Sequence, residues 1–188
     1  ILSDSFLEEV KNMKQKNLAV EMLARLLKGE VKSKTATNIV QAKKYSELLA
    51  NALLKYRNRS IETAQVIEEL IQMAIEFKKE MGRGKDLGLN DDELAFYDAL
   101  SDNDSANEVL GEDILKQIAH ELTEQLRKTV TVDWAKRESV RASIRIKIKR
   151  LLRKYKYPPD SQDEAVELVL SQAETISQEL VKIGRAHV

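Results

Sequence analysis

Arg141, Arg145, Lys149 and Arg153 recur at every fourth position, and Lys147, Arg150 and Lys154 widen the row. On a helix that spacing lines the guanidinium and ammonium groups along one face. Such a face suits phosphate oxygens, because arginine's planar fork meets them with two hydrogen bonds and lysine meets them as a point charge. Between Lys136 and Lys156 the only acid is Glu138. The charge is therefore of one sign along the whole stretch. Trp134 and Tyr155 flank it, and aromatic rings there could stack on bases. A core anchor is the favoured role for Trp134, the only tryptophan. The plain alternative for the row is a solvated face balanced by acidic helices of the same chain.

Other residues capable of chemistry read less well. His120 neighbours Glu121 and Glu124, a helical pair conceivable as metal ligands, yet a partly exposed helical histidine is the simpler reading. His187, the second histidine, stands far away in sequence. Asp102-Asn103-Asp104 opens like a calcium loop, but Ala106 and Asn107 occupy places where that loop needs an oxygen ligand and a glycine. Gly82-Arg83-Gly84 follows a helix and lacks the Lys-Ser/Thr of a phosphate-cradling loop. Glu62, Glu68 and Glu69 read as a solvated helical face. With no cysteine anywhere, thiol catalysis and thiolate metal sites are excluded. No catalytic residue, metal ligand or cofactor is assigned within the chain, and it is read as not being an enzyme by itself.

The elements that must position the basic row are helices. Val140, Ile144, Ile148, Leu151, Leu152 and Tyr155 step by three and four, giving the same helix an apolar stripe. Tyr157-Pro158-Pro159 is expected to stop it, since a proline disfavours helical geometry at the residue before it. Upstream, a helix over residues 3–13 is capped by Ser3 or Asp4, and Phe6, Leu7 and Val10 face inward. Asn17 caps the next helix, whose stripe is Leu18, Met22, Leu23, Leu26 and Leu27, and Gly29 ends it. After a polar connection from Val31 to Thr37, a helix with Ile39, Val40, Tyr45, Leu48, Leu49, Ala52 and Leu53 runs to about Tyr56. Beyond the joint at residues 57–60, a helix holds Ile61, Val66, Ile67, Leu70, Ile71, Ala74, Ile75 and Phe77. It frays over residues 78–85, where Gly82, Gly84 and then Gly88 loosen the backbone.

Asn90 caps a compact helix with Leu94, Phe96, Tyr97 and Leu100, which cannot all face one way, so at least one aromatic stays partly exposed. A polar loop over residues 101–107 precedes a helix from Gly111 or Asp113 to Val130, with Ile114, Leu115, Ile118, Leu122 and Leu126. Asp160 or Ser161 caps the last helix, whose Val166, Val169, Ala173, Ile176, Leu180 and Ile183 are heptad-like. Thr129 to Val132 is the only strand candidate and is too short to found a sheet. The fold class is all-α, a multi-helix bundle of about seven helices.

The chain has 188 residues, 43% hydrophobic and 33% charged, with two prolines and six glycines. That composition describes a heavily charged globular protein with little punctuation. A single helical domain over residues 1–183 is expected, with 1–35 as a looser helical lead-in. Ile1 suggests a piece cut from something larger, and residues 184–188 read as a cloning scar. Basic and acidic residues balance at 31 each, so the basic helix implies an equal negative excess elsewhere. No apolar run is long enough to span a bilayer, and absent cysteines fit a reducing cytoplasm.

A set of segments gives a family likeness. Val132-Asp-Trp134, Arg137-Glu-Ser-Val-Arg-Ala142, Lys149-Arg-Leu-Leu-Arg-Lys-Tyr155 and Tyr157-Pro-Pro-Asp160 resemble the C-terminal helical region of type I restriction enzyme motor (R) subunits. Tyr56-Arg-Asn-Arg-Ser60 leading into Ala64-Gln-Val-Ile-Glu-Glu-Leu70, and Glu93-Leu-Ala-Phe-Tyr-Asp-Ala-Leu100, follow the same order. The likeness covers roughly residues 45–170. It implies a parent that is an ATP-dependent DNA translocase and endonuclease using ATP and magnesium. It also implies a helical region that docks the parent onto the methyltransferase core, with methyltransferase and specificity subunits and duplex DNA as partners and no membrane. The seven basic residues, Arg141, Arg145, Lys147, Lys149, Arg150, Arg153 and Lys154, are the DNA-contact candidates. A purely structural scaffold for the motor domains is the alternative, and a regulatory domain binding a small anion is a third.

Overall fold

Polar side chains fix where several helices begin. Ser3 accepts a hydrogen bond from the Phe6 N–H at 3.2 Å and starts α1 (Asp4–Lys11). Asn90 and Glu93 form a reciprocal capping box at α5 (Asp91–Ser101), each side chain accepting the other's backbone N–H. That satisfies two donors the first helical turn would otherwise leave bare. The Asn103 side chain accepts from Ala106 N–H at 3.3 Å and from the Ser105 hydroxyl at 2.8 Å, opening α6 (Asp104–Thr129).

The computed structural model describes residues 2–129 and 137–186, and it is all-helical. The remaining elements are α2 (Lys16–Lys34), α3 (Ile39–Arg57), α4 (Thr63–Leu87), α7 (Glu138–Lys154) and α8 (Gln162–Ala186), making eight helices and no strand among the described residues. The strand candidate is not strand at Thr129, which ends α6, and its positions 130–132 lie outside the described residues, as do Trp134 and His187.

Several boundaries differ from expectation for identifiable reasons. Gly29 does not end α2, which continues to Lys34 because Leu23, Leu27 and buried Val31 prolong one apolar face at steps of four. Asn17 lies inside that helix, and its side chain accepts from the Tyr56 hydroxyl at 3.1 Å. Likewise α4 runs helically through Gly82 and Gly84 to Leu87. It ends at Gly88, whose φ of 70° lets the Leu89 N–H reach back to the Gly84 carbonyl at 2.9 Å. The supposed loop at residues 101–107 is largely helical: α6 starts at Asp104 and breaks at Gly111, with φ 76° and ψ 172°. Finally, α7 ends at Lys154, three residues before Tyr157. Lys156 turns left-handed at φ 57°, and the Tyr157 N–H closes on the Leu152 carbonyl at 2.9 Å. Pairing of this six-to-one kind is how helices end when the residue past the cap is left-handed.

Packing groups the chain into two compact units, Ile1–Thr35 with Gln41–Arg83, and Ala36–Val40 with Gly84–Val188. In the first, Val10, Leu23, Leu27, Tyr45 and Leu70 are fully enclosed, and Phe77 meets the Tyr45 ring edge-on at 4.9 Å. In the second, Leu100, Leu115, Ile118, Leu122, Ile144, Ile148, Leu152, Val166 and Val169 form the centre. Each such side chain contributes roughly 1.5–3 kcal/mol by leaving water. The α7 stripe is thus core, as its spacing requires. Of the compact α5 helix, Phe96 is buried and Tyr97 half-buried. Leu18, Leu48, Ile75 and Leu180, expected on apolar stripes, lie at the surface instead.

The second unit also captures a distant segment. The buried Gln172 side chain of α8 accepts from the Ile39 N–H at 2.9 Å and donates to the Thr37 carbonyl. Asn38 donates to the Asp98 carboxylate of α5 at 2.8 Å. Past α7, Tyr157 is enclosed, and its hydroxyl donates to the Leu100 carbonyl at 2.6 Å, tying the α7 end to the α5 end. Burial pushes its pKa up to about 12.

Candidate nucleic-acid interface

The apolar stripe of α7 is spent on the core, so its basic residues must project sideways or outward. They divide into two sets. On one flank, α8 offers carboxylates at matching intervals. Arg141 meets Glu174 at 2.8 Å, Arg145 grips Glu167 through Nε at 2.7 Å and a second nitrogen at 3.4 Å, and Lys149 faces Asp163 at 3.5 Å. The pairing runs in opposite directions along the two helices, so they lie antiparallel. Glu167 holds the Arg145 guanidinium above its already high ordinary value.

The other flank faces α6. Lys147 donates to the Thr129 hydroxyl at 3.0 Å, and Lys154 meets Glu121 at 3.0 Å. Together with Lys128 and Arg150 these side chains line a groove of about 530 Å³ between α6 and α7, floored in part by Leu151. Arg150, Arg153 and Lys128 are exposed, and none makes an ion pair among the described residues.

Glu121 is the acid of this groove, and its charge is already shared. The Tyr155 hydroxyl donates to it at 2.6 Å and Lys154 at 3.0 Å, and together they hold its carboxyl below the usual range. In return Glu121 raises both Tyr155 and Lys154. Tyr155 is half-buried with its hydroxyl engaged, so its ring is committed to the protein and does not stand free for a base. The row was legible in the sequence at regular spacing. Lys128 was not singled out, because only the antiparallel packing of α6 on α7 brings it beside residues 19 to 26 positions away.

The remaining residues of chemical interest have structural employment. His120 Nδ1 lies 2.7 Å from the Glu93 carboxylate, part of the α5 capping box. Asp102 follows α5, and Asn107 donates to the Ser101 carbonyl at 2.8 Å. Gly82-Arg83-Gly84 is helical, and the Arg83 side chain reaches Glu80 at 3.3 Å. Glu68 pairs with Lys11 at 3.0 Å and Glu69 with Lys55 at 3.1 Å, both at the surface. Among the described residues, no group of three or more histidine, aspartate or glutamate side chains could hold a metal ion, and no helix is long and apolar enough to cross a membrane.

Comparison with known proteins supplies the family. The type I restriction enzyme HindI endonuclease subunit of Haemophilus influenzae is 46% identical over 180 residues, covering 96% of this chain and 17% of that protein. A Methanocaldococcus jannaschii protein described as a type I restriction enzyme MjaIXP endonuclease subunit is 35% identical over 157 residues, 82% of this chain and 15% of that protein. The chain therefore spans about a sixth of the length of these relatives. No solved structure matches it. The family model for the C-terminal region of HindI-like type I restriction endonuclease subunits matches residues 1–179, from α1 well into α8 and across the whole basic helix, and the chain belongs to that family.

Proposed function

We propose that this chain is the C-terminal assembly module of a type I restriction enzyme motor subunit, docking it onto the methyltransferase and specificity subunits and contacting duplex DNA through the basic face of α7. The observation that carries this reading is the family match over nearly the whole chain to one terminal sixth of a much larger endonuclease subunit. Nuclease and motor chemistry would then reside in the rest of the parent, an ATP-dependent translocase and endonuclease with ATP and magnesium as its cofactors. The chain's own contribution is binding. Its cations on α7 can neutralise backbone phosphates without reading bases, which positions a subunit on DNA but leaves sequence choice to another part of the complex.

One observation favours a second reading, a scaffold that supports the motor domains and touches no DNA. Arg141, Arg145 and Lys149 each have a carboxylate of α8 within 3.5 Å, so a large part of the row is already neutralised. Fluorescence anisotropy of labelled duplexes of unrelated sequence, titrated with the 188-residue chain over a range of salt, separates the two. The DNA-contacting reading expects similar affinity for each duplex, with log K falling against log salt by about 0.9 per phosphate neutralised. A scaffold gives no binding even at low salt.

A further inference from the structure

We propose that the groove between α6 and α7 is the seat of the phosphates, with Lys128, Lys147, Arg150 and Lys154 as its cations and Glu121 as a built-in competitor. This deepens the DNA-contacting reading and rests on it. The ligand class is the sugar-phosphate backbone of one strand of a duplex.

Charge balance decides between the two flanks of α7. On the α8 side, three cations face three carboxylates at 2.7 to 3.5 Å. A phosphate arriving there would have to break existing pairs and would find their carboxylates beside it. On the α6 side, four cations surround one carboxylate, and that carboxylate is already sharing its charge with a tyrosine hydroxyl. The carboxyl end of α6 adds a negative half-charge that works against an anion. Three lysines and an arginine outweigh it. Lys147 stands where that opposing charge is greatest, hydrogen-bonded to Thr129 in the last residue of α6.

Dimensions agree with a short length of one strand. Lys147 and Lys154 are seven residues apart on α7, about 10 Å along the helix axis. Successive phosphates of one strand advance by about 3.4 Å along the duplex. The phosphates of a strand also wind around that axis and stand farther apart than this rise, so the groove is long enough for only a few of them. Tyr155 has its hydroxyl committed to Glu121, so its ring is not offered to a base, and binding through the phosphates is indifferent to sequence.

Glu121 sets the strength of the site. Without DNA it holds Lys154 at 3.0 Å, and a phosphate must take that ammonium from it. Releasing Lys154 should therefore tighten binding, a sign opposite to that of every cation removal.

The experiment is anisotropy with a labelled duplex over a salt series, using the 188-residue chain and single variants, each checked by circular dichroism for retained helix. Lys128→Gln and Arg150→Gln should each weaken binding and flatten the log–log slope by about one unit. Arg141→Gln and Arg145→Gln should leave the slope as it is. Glu121→Gln should tighten binding about two- to fivefold, the range corresponding to release of an exposed ion pair. If the parent chain binds but the loss maps to Arg141 and Arg145, the groove assignment is wrong while DNA contact stands. Equal loss for every cation removed, or weaker binding by Glu121→Gln, also overturns it. Absence of salt-dependent binding by the parent chain removes the DNA reading itself.

Discussion

Glu93 is the residue on which α5 and α6 meet. Burial opposes its charge, yet the Asn90 N–H and the His120 imidazole together bring its pKa below the usual carboxylate value. The hydrogen bond with Glu93 raises His120, and Glu124 adds to it. The sign of the pH effect follows. A histidine raised on folding contributes stability fully below its unfolded value, about 6.5, and that contribution is lost as pH rises through the raised pKa. The lowered Glu93 contributes above its own unfolded value, about 4.3, and its share is lost as pH falls through the depressed pKa. The pair is therefore most stabilising between about pH 4.3 and 6.5. The melting temperature of the parent chain should exceed that of His120→Gln near pH 6, and the gap should narrow by about pH 8.5. A constant gap across that range would show that the pair's charge does not contribute. The capping box itself was readable from Asn90 and Glu93 three apart. The histidine was not, because nothing local in the sequence brings residue 120 to residue 93.

At the scale of elements, glycines gave the sequence its misleading punctuation. Gly29, Gly82 and Gly84 all lie inside helices, where each costs about 1 kcal/mol relative to alanine. Tertiary burial outweighs that, as Val31 shows in α2. The three are not equivalent. A Cβ on Gly82 would meet nothing within 4 Å, whereas one on Gly84 would sit 3.1 Å from the Leu89 carbonyl and 3.3 Å from a Leu94 methyl. Gly82→Ala should therefore stabilise the chain by about 0.4–1 kcal/mol. Gly84→Ala should yield less or reverse sign, since the backbone at Leu89 cannot simply move aside. Urea denaturation of the two variants checks the order, and equal gains would show that the α4 end relaxes freely. The α7 stripe was legible from its spacing, whereas Leu18, Leu48, Ile75 and Leu180 fit a stripe by spacing and yet lie at the surface. The pairing of α7 with α8 was legible only in part: Asp163, Glu167 and Glu174 stand at steps of four and seven, a face complementary to Arg141, Arg145 and Lys149. Seeing that they match required knowing that the two helices run antiparallel.

For the whole molecule, equal numbers of acids and bases conceal a divided surface. Net charge is zero, so general attraction to DNA is absent and any binding must come from where the charges lie. That places a constraint on assembly. The chain is about a sixth of its relatives' length, and its partners in a multi-subunit enzyme would meet it through surfaces not already spent on its two cores. Val109, Ile146 and Leu180 are apolar residues of the second unit left at the surface, and Leu18, Leu48, Leu54 and Ile75 are those of the first. Docking through such residues would resist salt, while DNA contact through the α6–α7 groove would not. The two proposed activities can therefore be separated in one experiment. With a purified methyltransferase core and a labelled full-length endonuclease subunit, the 188-residue chain should compete for the core. That competition should persist from low salt to about 0.5 M, at which exposed charges are screened over only a few ångströms. DNA binding by the same chain should already have collapsed there. Competition that vanishes together with DNA binding would mean that the core is held by the same charges. A folded chain that never competes, even in large excess, would overturn the docking proposal.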